Sequence, residues 1–195
     1  MVRFLVTTQS ARVESVRPEG ARVYMVDGTV PGWSPREGDY HWDHHRAGGD
    51  PIQINEIEGD FPCPQGDDLI VTSTVDADAC VSGALLVLQG DEYTPQRGWY
   101  SKLQAIAWDC DHLHVPKRAS YGHLADFAAK AVADLKQQGF KLAGEMGLPN
   151  DRGQWSAEQR EAYASRSFRE GTMWLVDAAL GKRPWPGDSP DAFDS

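Results

Sequence analysis

The sequence predicts an α/β fold: a mainly parallel sheet in the N-terminal half and a helical C-terminal half, together a single domain over residues 1–181. Three observations lead there. "LIVTST" (69–74) is a continuous β-rich run, fit for a strand covered on both faces. "ADACVSGALLVL" (77–88) follows at once with the small and apolar residues of a buried helix. Strand, carboxylate turn and helix within about twenty residues make a βα unit, and helical patterns then fill the second half.

Taken in order, "RFLVTT" (3–8) and "ARVYMVDG" (21–28) read as strands separated by a polar link with Pro and Gly punctuation. Residues 29–66 are rich in Gly, Pro, Trp and Asp, and only "PIQINEI" (51–57) resembles a strand there. A loop-rich stretch of that length inside a compact domain points to function. "GWYSKLQAIAWDCDHLHV" (98–115) reads as a helix running into a polar cluster. Helices are expected over 119–138, where Leu124, Phe127, Ala128, Ala131 and Leu135 form a stripe, and over 156–180, where Ser156 and Gln159 fit a capping box. Residues 182–195 read as a flexible tail.

At 195 residues, with 41% hydrophobic and 25% charged side chains, the chain is long enough and apolar enough to bury one real core. Its formal net charge of −10 argues against a sequence-independent grip on long nucleic acid, which needs clustered Lys and Arg. A small anionic substrate stays compatible, because bound divalent cations reverse the local field. The N-terminal apolar run is too short for a signal segment, and no stretch approaches a membrane span. Cys63, Cys80 and Cys110 have no paired CxxC spacing. A disulfide framework is therefore not expected, and the reading is a cytoplasmic protein.

The chemistry gathers in four clusters. "MVDG" places Asp27 at a strand end; "HWDHH" adds His41, Asp43, His44 and His45; "VDADACVS" adds Asp76 and Asp78; "WDCDHLH" adds Asp109, Asp111, His112 and His114. Only His123, among six histidines, lies outside them. If the extended conformation runs on through 76–78, both aspartates project to one side. Adjacent carboxylates repel unless a cation lies between them, and mixed carboxylate and imidazole donors suit Mn²⁺, Fe²⁺ or Zn²⁺. Strand carboxyl ends are also where open α/β sheets bind ligands. Competing structural roles exist: Asp78 as a helix cap, Asp27 as a turn residue, and Cys110, His112 and His114 as a small zinc group. Trp42, beside the cluster, could stack on a base.

"DADACVS" (76–82) resembles the D-x-D-A-x-x-S motif of the DHH-type phosphoesterases, a superfamily that includes manganese-dependent pyrophosphatase, exopolyphosphatase and oligoribonucleases. "DHH" (43–45) resembles the motif that names them, "VDG" (26–28) their strand-terminal aspartate, and "AIAWDCD" (105–111) a source of their fourth metal-binding aspartate. The likeness spans roughly residues 21–115. It implies two Mn²⁺ ions, with Mg²⁺, Fe²⁺ and Zn²⁺ as other candidates, and hydrolysis of a phosphoanhydride or phosphodiester bond in a small phosphorylated substrate or short oligonucleotide. By position, Asp76 and Asp78 serve one metal each, Asp27 bridges them, His44 ligates one, and Asp109 or Asp111 closes the set. His45 faces the scissile phosphate as a general acid, Arg46 clamps a phosphate oxygen, and Asp43 orients a histidine.

Two departures stand out. Thr72 occupies the position of a family histidine four residues before the first aspartate of D-x-D, a vacancy that His41, His112 or His114 could fill. The motifs also run Asp27, "DHH", "DADA", as in a circular permutation of the family order. The alternative function is a non-catalytic relative that binds a nucleotide or metal as a sensor or assembly partner.

Overall fold

The computed structural model describes residues 1–43, 57, 60–89 and 98–188. Four strands, β1 (Arg3–Val6), β2 (Val23–Val26), β3 (Tyr40–Trp42) and β4 (Leu69–Thr72), form one sheet in the order β1-β4-β2-β3. Every pairing is parallel, with Phe4 opposite Ile70, Tyr24 opposite Ile70 and Met25 opposite His41. The described helices are α1 (Ser10–Val16), α2 (Ala77–Leu88), α3 (Trp99–His112), α4 (Ala125–Glu145) and α5 (Ala157–Ala179). This is the α/β architecture that the βα unit at 69–88 predicts.

Alternation along the strands sorts the core into two faces. Leu5, Val23, Met25, Leu69 and Val71 point to one side, where they pack with Val13 of α1 and with Val30 and Trp33 of the following loop. Val6, Tyr24, Val26 and Ile70 point to the other, against α2, α3 and α5. All residues of β2 and β4 are buried, so "LIVT" is indeed covered on both faces. The outer edge of β1 is covered by α5, whose Ser165 Oγ accepts the Val6 N–H at 3.0 Å. A helix thus closes an edge that would otherwise present open strand donors.

Three elements differ from the sequence reading. The polar link after β1 contains α1, seven residues long and without a side-chain cap, which buries only Val13. So short a helix leaves too few repeats of a 3.6 period to be read. The loop-rich stretch 29–66 contains β3, three residues that the rule of alternation cannot identify but that pair with β2. The helix expected at 119–138 is shifted to 125–145: a 3-10 turn over Gly122–Leu124 precedes it. At Gly122 a Cβ would fall 2.6 Å from the Lys117 carbonyl oxygen, so the chain is folded back there and not α-helical. The helix ends at Gly147 (φ 68°), with Leu148 N–H bonded to the Ala143 carbonyl in a glycine-dependent cap.

Helix α5 begins where predicted, with Ser156 and Gln159 bonded reciprocally as a capping box. Residues 182–188, expected to be part of a flexible tail, are held instead. Trp174 Nε1 donates to the Pro184 carbonyl at 2.8 Å, Trp185 meets Phe127 edge-on, and Gly187 N–H donates to Asp134 Oδ2 at 2.7 Å. The lever for this is aromatic packing, which a Pro- and Gly-rich composition conceals. Residues 189–195 and most of the predicted strand 51–57 lie outside the described residues.

Two packing features yield predictions. Asp39, whose side chain is 1% exposed, receives Arg17 through bonds of 2.7 and 3.1 Å and also accepts the N–H groups of Val23 and Arg36. It ties α1, β2 and the preceding loop together. Asp39→Ala leaves the buried Arg17 with only the more distant Glu14, at 3.4 Å, and two backbone N–H groups without their acceptor, and urea denaturation should show a loss of about 3–5 kcal/mol. Where α2 crosses α5, a Cβ on Gly171 would approach Cys80 Sγ to 2.6 Å. Gly171→Ala gains about 1 kcal/mol of helix propensity but overpacks the crossing by about 1–3 kcal/mol. A net destabilisation is expected, and it should shrink or vanish in a Cys80→Ala background.

Candidate functional site

Because the strands are parallel, their carboxyl ends share one edge. Asp27 follows β2 there, Asp43 follows β3, and the segment from Thr72 to Asp76 leaves β4. Asp27 is buried and adopts a left-handed backbone (φ 50°), which Asp tolerates better than most residues. Its N–H donates to the Trp42 carbonyl of β3 at 3.0 Å. The adjoining Gly28 lies against β4's exit, where a Cβ would come 2.3 Å from Ser73 Oγ.

Helix α2 starts on this edge. Asp76 is its N-cap, extended at φ −148° and ψ −176°, and accepts the Ala79 N–H at 2.8 Å. A cap of this kind contributes about 1 kcal/mol. The capping aspartate is therefore Asp76 and not Asp78. Asp78 lies in the first helical turn and is 1% exposed. The extended conformation does not continue through 78, so the two carboxylates are related by a cap and a helical turn and not by strand alternation. The reason is local: the exposed amides of α2 recruit the first carboxylate available.

Helix α3 brings its last turn to the same place. The Cys110 thiol is pushed up to about 12 by burial and by the charges of Asp76, Asp78 and Asp111, while the Asp78 backbone amide hydrogen-bonds to it. Burial raises Cys80 as well, and the charges of Asp76 and Asp27 add to that. The charges of Asp76, Asp78 and Asp111 thus act on Cys110 and those of Asp76 and Asp27 on Cys80, and both thiols stay protonated near neutral pH.

Asp109 takes a different position. One residue before Cys110 and two before Asp111, it shares the α3 side of Ala105, which packs with Val115 and Ala128. Burial raises its carboxyl above the usual range, opposed by the charge of His114. The zinc grouping is not assembled: His112 stacks on Trp108 with centroids 4.1 Å apart, and His114 Nδ1 lies 3.0 Å from the His112 carbonyl oxygen. Among the described residues, no three His, Cys, Asp or Glu side chains are arranged to hold a metal ion. His44, His45 and Arg46 lie outside the described residues.

Thr72 is fully buried, and its hydroxyl donates to the Thr74 carbonyl at 3.3 Å. Trp42 stacks on Tyr40 at 5.6 Å and leans on Phe61 at 4.9 Å, so it belongs to an aromatic row along the sheet. His123 is exposed on the 3-10 turn. Sequence reasoning missed Thr29, which bonds Asp43 at 2.5 Å and stands 3.1 Å from His41 Nε2. Its only signal was its place two residues after the strand-end aspartate. Among the described residues, no helix is long and apolar enough to cross a membrane.

Asp109 provides a pH test. A carboxyl whose folded pKa is raised contributes stability that is intact in acid and is lost as pH rises through the folded value. Asp109→Asn should therefore stabilise the fold at pH 7, with the difference vanishing below about pH 4. Urea midpoints at both pH values check it.

Compared with protein-family models, curated proteins and solved structures, the chain matches none.

Proposed function

We propose that the chain is a divalent-metal-dependent phosphohydrolase cleaving a phosphodiester or phosphoanhydride bond in a nucleotide or other small phosphate substrate. One observation supports the reading: Asp27 after β2, and Asp76 and Asp78 at the start of α2, stand at the carboxyl edge of a parallel sheet, where Asp43 follows β3. Carboxylates at one edge, two of them buried (Asp27 and Asp78), raise the local negative charge, and a cation there would relieve it.

Divalent cations, two Mn²⁺ ions in this reading, would polarise the phosphoryl group and make a nucleophilic water available near neutral pH. Asp27, Asp76 and Asp78 would hold them together with His44 and with Asp109 or Asp111 of α3. His45 delivers a proton to the leaving oxygen. Arg46 grips a non-bridging phosphate oxygen, and the amino end of α2 adds backbone N–H groups favourable to an anion.

A second reading is favoured by Thr72. Its hydroxyl is buried and bonded to Thr74, so this position does not supply the imidazole of the family pattern. A non-catalytic relative that binds a nucleotide or metal is the consequence.

Metal analysis of the purified protein, with hydrolysis assays on pyrophosphate, polyphosphate, cyclic dinucleotides and short oligonucleotides, tests both. Mn²⁺-stimulated turnover supports the hydrolase; nucleotide binding by calorimetry without turnover under any metal supports the second reading. Asp76→Asn is the informative variant, since Asn caps a helix as well as Asp. It should melt within about 1 kcal/mol of wild type yet lose about 100-fold or more in kcat.

A further inference from the structure

Among the described residues, His41 is the one cluster histidine on a strand of the sheet, and its surroundings define what its ring does. Nε2 lies 3.1 Å from the Gly28 carbonyl oxygen and 3.1 Å from Thr29 Oγ1. The Thr29 hydroxyl has one proton, and it is donated to Asp43 Oδ2 at 2.5 Å. Thr29 Oγ1 is then an acceptor toward His41, as the Gly28 carbonyl always is. Both partners of Nε2 are acceptors, so Nε2 carries the proton and shares it between them. The ring is further held edge-on to Trp33, with centroids 5.7 Å apart.

The three residues of the turn after β2 are consequently fastened to β3 one after another. Asp27 N–H donates to the Trp42 carbonyl, the Gly28 carbonyl accepts from His41, and Thr29 bridges His41 and Asp43. On the other flank Gly28 abuts Ser73 of the β4 exit. This wedge holds Asp27 in its left-handed conformation, which fixes the direction in which its carboxylate leaves the backbone. It also ties that turn to the chain immediately preceding His44.

We infer that His41, acting through Gly28 and Thr29, is a positioning residue that sets Asp27 for cation binding and does not itself ligate through Nε2. The inference rests on the proposed metal-dependent function. Outer residues that orient metal ligands are worth about 10–100-fold in metal affinity, which sets the size of the expected effect.

The test uses the full chain and Mn²⁺ alone, titrated calorimetrically well below the melting temperature, with long-range ¹⁵N–¹H spectra of the histidine rings. The wild-type His41 ring should show the Nε2–H form. His41→Ala should weaken Mn²⁺ binding about 10–100-fold, Thr29→Val should weaken it in the same direction, and His41→Gln, which keeps an N–H donor, should recover most of the loss. Wild-type Mn²⁺ affinity in His41→Ala would overturn the inference and leave the hydrolase reading intact. A ring protonated on Nδ1 alone would overturn it even if the alanine variant fails to fold. A wild-type protein that neither binds Mn²⁺ nor hydrolyses any substrate would instead overturn the hydrolase reading, and this inference with it.

Discussion

The structure depends on a sheet whose strands all run the same way and whose central pair, β2 and β4, meets water on neither face. Parallel strands cannot be joined by tight turns, so each connection must cross the sheet, and the crossing segments are what cover it. Here α1 and the loop containing Val30 and Trp33 cover one face, and α2, α3 and α5 cover the other. Covering accounts for the length of the chain. The second half is not a separate layer of helices but the lid on the Tyr24 and Ile70 side of the sheet.

The same parallel arrangement divides the aspartates by edge. Asp39 and Asp68 precede strands, on the amino edge. Asp39 takes Arg17 and two backbone amides, and Asp68 accepts the N–H groups of Arg22 and Gln65. Each is a staple whose buried charge is balanced by donors. Asp27, Asp43 and Asp76 follow strands or their exits, on the carboxyl edge, close to the amino end of α2. One residue type thus holds the fold at one edge and concentrates negative charge at the other.

Helix α2 joins these two roles. Its amino end meets the carboxylates, and its small side chains let α5 approach so closely that Gly83 and Gly171 cannot carry a Cβ without displacing Thr172 or Cys80. Close helix contact buries Cys80 directly behind the charged edge and keeps its thiol protonated. Tight packing and an oxygen-donor cluster are therefore parts of one arrangement, because the helix that caps the site is also the most enclosed helix of the core.

Sequence alone determined the α/β class, the βα unit at 69–88, the capping box at Ser156 and the position of α3, since each rests on local periodicity or on donors within a few residues. It also singled out Asp27, His44, Asp76 and Asp78, with Asp109 or Asp111, as residues that could share a site. Only tertiary structure decided that YHW is a strand, that residues 182–188 are docked, that Asp76 and not Asp78 caps α2, and that Asp109 stands on another side of α3 from Cys110. The same holds for Thr29, which acquires a role only when β3 lies beside β2. The physical reason is common to all of them. Three-residue strands, side-chain partners some 15 or more positions away and the facing of one helix against another arise from contacts between segments, and no local window of sequence contains them.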